Sequence, residues 1–412
     1  MTTSGALVLL FCVATAIAIA VRPFRIPYTV ALVVAGLGLG AFTPLQPPQL
    51  TKELLFTFFL PGLLFEAAFH LDLRIFRTVW RSTIALAIPG VLIATGLTAT
   101  FIAIAGQMLG LAALLSWTVG ITFGAIIAAT DPVAVTAVFR ELKAPPKLAV
   151  LVEGESLLND GTGVVLFSIV VAYVGGAHAS VAAMSGHFAV VAGGGVAVGL
   201  LVGWIIAMII KRLDEPMIEI ALTMIAAYGA FVLAEDVGVS GVLATVVAGV
   251  MCGRHGRDHG MSARSRAATE SFWEYVAFAL NSIVFLLLGF QFNPSSFLSL
   301  WPEILLAFAA MILARVVVIA ALVLVQKRMG EAIPRSWAPI VAWGGLRGAL
   351  SMVLALALPD DFPQRALIVA LTTGVVVASV IVQGLSIPWL LRRMGVAATV
   401  EGLGDGHSRG NE

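Results

Sequence analysis

Two acidic strings lie inside stretches that otherwise read as hydrocarbon: AATDPVAVTAVF at 128–139 and EGESLLNDGTGVV at 153–165. A carboxylate at the centre of a bilayer costs about 2.5–3.5 kcal/mol even on lenient insertion scales, so Asp131, Glu155 and Asp160 must be compensated by something nearby. In ESLLND, Ser156 and Asp160 are four residues apart and share a helix face, while Glu155 and Asn159 form a second pair displaced by one residue. A carboxylate beside a hydroxyl is an oxygen-only donor set of the kind hard cations take. The 128–139 string adds the Thr130 hydroxyl, the Asp131 carboxylate and backbone carbonyls freed by Pro132, which has no N–H to donate. Glu66, in FLPGLLFEAAF at 59–69, is a further acid within reach.

Burial favours the protonated form of a carboxylate and a neighbouring cation favours the ionised form. A carboxyl group set between those influences holds a proton or a metal ion, never both. That competition is a sufficient mechanism for exchange, because the site is compensated when loaded with either and is a bare buried anion when empty. Arg315 and Arg347 are the two basic residues inside apolar stretches, and a buried arginine calls for an anionic partner. Three or four acids against two arginines leave surplus negative charge, which suits a cation rather than an anion. Glu155 is expected to pair with one of the arginines, leaving Asp160 free to titrate. Asp131 is the weaker candidate, because an aspartate before a proline often only caps a helix.

The elements that hold these residues must span a membrane. Hydrophobic residues make up 60% of the 412, and charged residues only 11%; the mean hydropathy is +1.02. A soluble domain is roughly 45–50% apolar and about 25% charged, so this chain reads as an all-α integral membrane protein. A net charge of +1 suggests no nucleic-acid partner. Cys12 and Cys252 both lie in apolar runs, which implies no disulfide framework. The first apolar stretch is followed, not preceded, by Arg22 and Arg25, the wrong polarity for a cleaved signal peptide, and it reads as a retained helix.

A span needs about 20 mostly apolar residues. Thirteen candidates follow, at about 5–21, 27–43, 52–70, 82–105, 111–139, 148–174, 184–210, 216–235, 238–252, 271–290, 301–325, 336–358 and 366–391. Loops after odd-numbered spans, with the tail, carry 20 of the 24 basic residues, whereas loops after even-numbered spans carry Lys52 and Arg365. One missed span would scramble that alternation. The positive-inside rule then puts the N-terminus outside and the C-terminus in the cytoplasm. The fifth span is broken at Thr130-Asp131-Pro132, and the twelfth at WGGLRGALS (343–351), around Arg347. Interrupted segments at matching places in two halves point to a transporter site. They are seven helices apart, and that odd offset gives the opposite orientation that an inverted repeat of spans 1–6 and 8–13 requires. Gly195, Gly199 and Gly203 make GxxxG steps, which signal close helix packing. His255 and His259 read as solvated loop histidines, and EGLGDGHSRGNE (401–412) reads as disordered.

The strings ATDPVAVTAVF, EGESLLND, LPGLLFEA, the LARV around Arg315 and the GGLRGA around Arg347 resemble the cation/proton antiporter family. That family includes bacterial sodium/proton antiporters of the NhaP type and animal sodium/proton exchangers. The resemblance implies thirteen helices in two inverted repeats, and a homodimer. A core ion-translocation domain would include 52–70, 111–174 and 301–358, with the remaining helices of 1–393 forming a dimerisation scaffold and 394–412 a short tail. It implies Asp160 as the carboxylate that binds Na⁺ and H⁺, with Ser156, the Thr130 region and Glu66 as co-ligands and with Glu155–Arg315 as a structural ion pair. Asn159 stands where electroneutral members carry asparagine, which implies one-for-one exchange. The short tail implies a prokaryotic inner-membrane protein serving pH homeostasis.

Monovalent cations, protons and the lipid bilayer are the expected partners, and no cofactor is called for. A potassium/proton or broad monovalent exchanger is the alternative, since the ligand inventory does not separate Na⁺ or Li⁺ from K⁺. A cation channel would need a continuous pore. An intramembrane enzyme would need a nucleophile with its base, or a His-Glu-x-x-His zinc string, and the sequence has neither.

Overall fold

The computed structural model describes residues 3–21, 23, 27–42, 55–176, 180–257, 260–290, 292, 294–329 and 334–396. Arg22, Arg25, Lys52, His259, Arg409 and the segment 397–412 lie outside the described residues. Among those described, the regular structure is entirely helical.

The order is α1 (Thr3–Val21), α2 (Tyr28–Phe42), α3 (Leu60–His70, led in by a π-type turn at Leu55–Phe59) and α4 (Leu73–Met108). Two short helices follow, α5 (Trp117–Ile126) and α6 (Val133–Glu141), then α7 (Pro146–Val174), α8 (Val181–Ile210), α9 (Pro216–Asp236) and α10 (Gly241–Met251, winding on through Cys252–Arg257). The chain continues as α11 (Ala263–Phe290), the short α12 (Pro294–Ser299), α13 (Trp301–Met329), the half-helices α14 (Ala338–Trp343) and α15 (Ala349–Leu356), and α16 (Arg365–Arg393). Seven of the described helices are long and apolar enough to cross a membrane, and four further apolar ones are shorter. Every stretch read as a span falls mainly on helix where it is described, and the fifth and twelfth fall on interrupted ones.

One boundary moved. Helix α4 begins at Leu73, nine residues before the apolar stretch at 82. Asp72 caps it, its carboxylate accepting from the backbone N–H of Arg74 at 2.8 Å and of Ile75 at 3.1 Å. Arg74, Arg77 and Arg81, read above as loop charges, therefore form a stripe at helical spacing on an amphipathic first segment. Further along α4, Pro89 cannot donate, and the helix relaxes into a π-type turn over Leu86–Gly90. The Thr162 hydroxyl of α7 takes up the Ala87 carbonyl there at 2.7 Å.

Small residues bring several helices into backbone contact. A Cβ on Gly36 of α2 would collide with the Leu286 carbonyl oxygen of α11, and one on Gly289 with that of Val33 in α2. The GxxxG steps work within the chain: Gly195, Gly199 and Gly203 of α8 face the Ser240 and Ala244 carbonyls and the Ala248 backbone of α10. Close approach of this kind is what holds helices together where no hydrophobic driving force separates protein from lipid. Adding one methyl at Gly289 or Gly199 should cost about 1–3 kcal/mol by overpacking, whereas Gly38→Ala, with no atom within 4 Å of the new Cβ, should be neutral or slightly favourable. Thermal unfolding of the three alanine variants in detergent checks the contrast.

Candidate functional site

The fifth and twelfth spans break where they cross. Helix α5 ends at Ile126, the chain runs unwound through 127–132, and α6 starts at Val133, directly after Pro132. The distortion is wider than the single residue before the proline. Helix α14 ends at Trp343, and Gly344–Gly348 connect it to α15.

Each loose end in this crossing finds a partner from the other chain segment. The Asp131 backbone N–H donates to the Leu346 carbonyl at 2.8 Å. Arg347, 4% exposed, donates from Nη1 to the Ala128 and Ala129 carbonyls at 2.9 and 3.1 Å. It thereby meets the negative end of the α5 dipole. Its own N–H donates to Ser379 Oγ of α16 at 3.0 Å, and its Nε contacts Met311 Sδ at 3.2 Å. The Asp131 carboxylate accepts from the Val133 N–H at 2.9 Å, so it caps α6. Gly348, at the start of α15, abuts the same carboxylate so closely that a Cβ would collide with it. Asp131 thus stands between the positive ends of two half-helices.

Glu155 pairs with Arg315. The contact is bidentate, Nη1 to Oε1 at 3.0 Å and Nη2 to Oε2 at 2.8 Å. Arg315 also donates to the Val341 carbonyl near the end of α14, from Nη2 at 3.1 Å and from Nε at 3.3 Å. A Cβ on Gly345 would strike this guanidinium. Both arginines therefore meet the carbonyl end of a half-helix, and only Arg315 also takes a carboxylate.

The face of α7 next to the crossing carries the rest. Asn159 is wholly buried; its amide nitrogen donates to Glu155 Oε1 at 3.0 Å and to Thr130 Oγ1 at 2.7 Å. Its amide oxygen accepts from the Thr130 N–H at 3.3 Å. Thr130 Oγ1 and Ser156 Oγ are 2.8 Å apart. One turn on from Ser156, Asp160 has a buried Oδ1 without a hydrogen-bond partner among the described residues. Its electrostatic neighbours are Asp131 and Glu155.

Glu66 stands apart from that cluster. Its Oε1 lies 3.2 Å from His70 Nδ1, one turn along α3, and its electrostatic neighbourhood is His70 and Glu153. Thr130, Asp131, Glu155, Ser156, Asn159, Asp160, Arg315 and Arg347 are therefore gathered at one place, and Glu66 faces another group. Sequence reasoning passed over Ser379 and Gln383, which bond to each other beneath the break, Gln383 Nε2 reaching the Trp343 carbonyl at 2.8 Å. Two polar residues four apart in an apolar helix were the available signal.

Residues 7–393 match the family model described as the transmembrane sodium/hydrogen exchanger. The chain belongs to the sodium/hydrogen exchanger family. It is a multi-pass membrane protein of a family of secondary transporters rather than enzymes. The low-affinity Na⁺/H⁺ antiporter NhaS1 of Synechocystis is 38% identical over 375 residues, which cover 89% of this chain and 69% of that protein. The Na⁺/H⁺ antiporter NhaP of Pseudomonas aeruginosa is 37% identical over 361 residues, 85% of this chain and 83% of that one. Among solved structures, the sodium proton antiporter MjNhaP1 of Methanocaldococcus jannaschii superposes with a TM-score of 0.78 at 23% identity, covering 96% of this exchanger and 99% of that chain. The fold is that of the antiporter.

The Glu155–Arg315 geometry has a stability consequence. Removing one member of a buried pair leaves an uncompensated charge, so Arg315→Gln should cost about 3–5 kcal/mol, and adding Glu155→Gln should restore most of it. Thermal unfolding of the single and double variants measures the rescue.

Proposed function

We propose that the protein is a secondary antiporter exchanging Na⁺ or Li⁺ for H⁺, with the two ions competing for Asp160. The observation that carries this reading is the asymmetry among the site's carboxylates. Glu155 is held in a bidentate ion pair and Asp131 caps a helix, while Asp160 keeps a buried oxygen uncommitted. The Thr130 and Ser156 hydroxyls, 2.8 Å apart, supply further oxygen donors, and Asn159 holds Thr130 in place through both ends of its amide. The relatives named above are Na⁺/H⁺ antiporters, which supports Na⁺ as a substrate. Asp131 serves chiefly to fix the crossing. Glu66, beside His70, stands outside this group.

Alternating access moves a core that includes 52–70, 111–174 and 301–358 against a scaffold formed by the remaining helices, which also carries a homodimer contact. The N-terminus lies outside and the C-terminus in the cytoplasm, so exchange contributes to cytoplasmic pH homeostasis in a prokaryotic inner membrane. With Asn159 neutral and Glu155 neutralised, Asp160 is the single group that changes charge, and exchange is electroneutral.

Dissipation of a pH gradient in proteoliposomes, scanned over Na⁺, Li⁺ and K⁺ with and without an imposed voltage, tests these points together. Asp160→Asn should abolish cation-dependent proton movement while the protein stays folded, and undiminished exchange would overturn the assignment. Thr130→Val and Ser156→Ala should raise the half-saturating cation concentration about ten-fold each, the loss of one ligand to a charged group. Since a proton must leave before the cation binds, that concentration should also rise by up to about ten-fold per unit fall in pH in the wild type. Rates that follow the imposed voltage would reject one-for-one exchange.

A further inference from the structure

Away from the crossing, a groove of about 540 Å³ runs between α13, α14 and α16. Val316 and Ala320, Ala338 and Ala342, Trp389 and Leu390 line it. The wall is almost wholly apolar. The Ser386 hydroxyl in it accepts from Trp343 Nε1 at 2.7 Å and donates to the Val382 carbonyl at 2.6 Å, so it offers little to a polar guest. The groove opens through exposed Val316 and Trp389. Helices α13 and α16 are both long and apolar enough to cross a membrane, so the medium outside is hydrocarbon.

Charge is concentrated at one end. Arg335, exposed just ahead of α14, lines the groove there. Arg393 lies 5.0 Å above the ring of Trp389, within the same end of α16. Among the described residues, no acidic one lines the groove. An apolar slot flanked by tryptophan, with one guanidinium in its wall and a second stacked on that tryptophan, matches one kind of occupant: a hydrocarbon chain with a phosphate at its head. Guanidinium recognises phosphate through paired N–H donors, and two positive charges favour a headgroup that is anionic overall.

We propose that this groove binds an anionic glycerophospholipid, one acyl chain lying between α13, α14 and α16 and its phosphate held by Arg335 and Arg393. The lipid comes from the leaflet these arginines face. The assignment is independent of which cations are exchanged.

A photoactivatable phosphatidylglycerol, carrying a diazirine near the end of one acyl chain, tests it on the full-length protein in phosphatidylcholine nanodiscs. Adducts should map to groove residues such as Val316 and Trp343, and unlabelled phosphatidylglycerol should displace the probe better than phosphatidylcholine does. Arg335→Gln and Arg393→Gln should each weaken labelling about five-fold, since a basic residue at an anionic headgroup contributes about 1 kcal/mol. Ala320→Trp, a substitution on an exposed helix face, should abolish labelling inside the groove without lowering the unfolding temperature. Labelling outside the groove, equal competition by the two lipids, or indifference to either arginine would overturn the proposal. Labelling that survives Ala320→Trp would do the same, because it would leave the phosphate on the surface and the groove unused.

Discussion

Two helices interrupted in the middle of a membrane set the terms for the whole molecule. In hydrocarbon every exposed backbone N–H or C=O costs several kcal/mol, and each interruption creates helix ends with several such groups. The chain answers by crossing its two interruptions, so that each supplies what the other lacks. The Leu346 carbonyl takes the Asp131 N–H. Arg347 takes the carbonyls at the end of α5, and Arg315 takes one near the end of α14. Asp131 stands at the opposite, positive ends. Two cations and an anion thus neutralise the four half-helix dipoles that meet there, and Glu155 balances the remaining guanidinium.

That arrangement also determines what is left for chemistry. With Glu155 and Asp131 engaged, the uncommitted acid is Asp160, one helical turn from a hydroxyl already facing Thr130. The site is built as a rigid frame around one free carboxyl group. Because the partners of the arginines are mostly backbone carbonyls, no hydrogen bond of the frame draws on the Asp160 carboxyl group.

Much of this could be read in the residues. Pro132, and the glycines at 344, 345 and 348, announced both interruptions, because neither kind of residue sustains a helix. The charge count called for a Glu155–arginine pair but did not choose between Arg315 and Arg347, both of which lie in apolar stretches. The choice is made in three dimensions: Arg347 sits inside an interruption and is absorbed by carbonyls, whereas Arg315 projects from an unbroken helix toward α7. The grouping of Glu66 with Asp160 came from its place in an apolar stretch and from the resemblance, and neither reported His70, four residues later on the same helix, as its neighbour. Hydropathy hid the start of α4, where the arginine stripe looks like a loop until Asp72 is recognised as its cap. The π-type turn at Pro89 depends on a hydroxyl 75 residues away, and no local pattern reports that.

The crossing sorts its positions by what they may become. Its acceptors at Ala128, Ala129, Val341 and Leu346 are backbone oxygens, so the side chains there answer only to size and polarity. Gly345 and Gly348 have no such latitude, because the space a side chain would occupy is filled by the Arg315 guanidinium and the Asp131 carboxylate. Arg347 has little either, because Nη1 serves both carbonyls while Nε reaches Met311 Sδ, and lysine's single nitrogen does not reproduce two nitrogens held in one plane. Substituted one residue at a time, this segment would show a few intolerant letters set among permissive neighbours, with mutational sensitivity following the direction of the hydrogen bonds rather than distance from the ion.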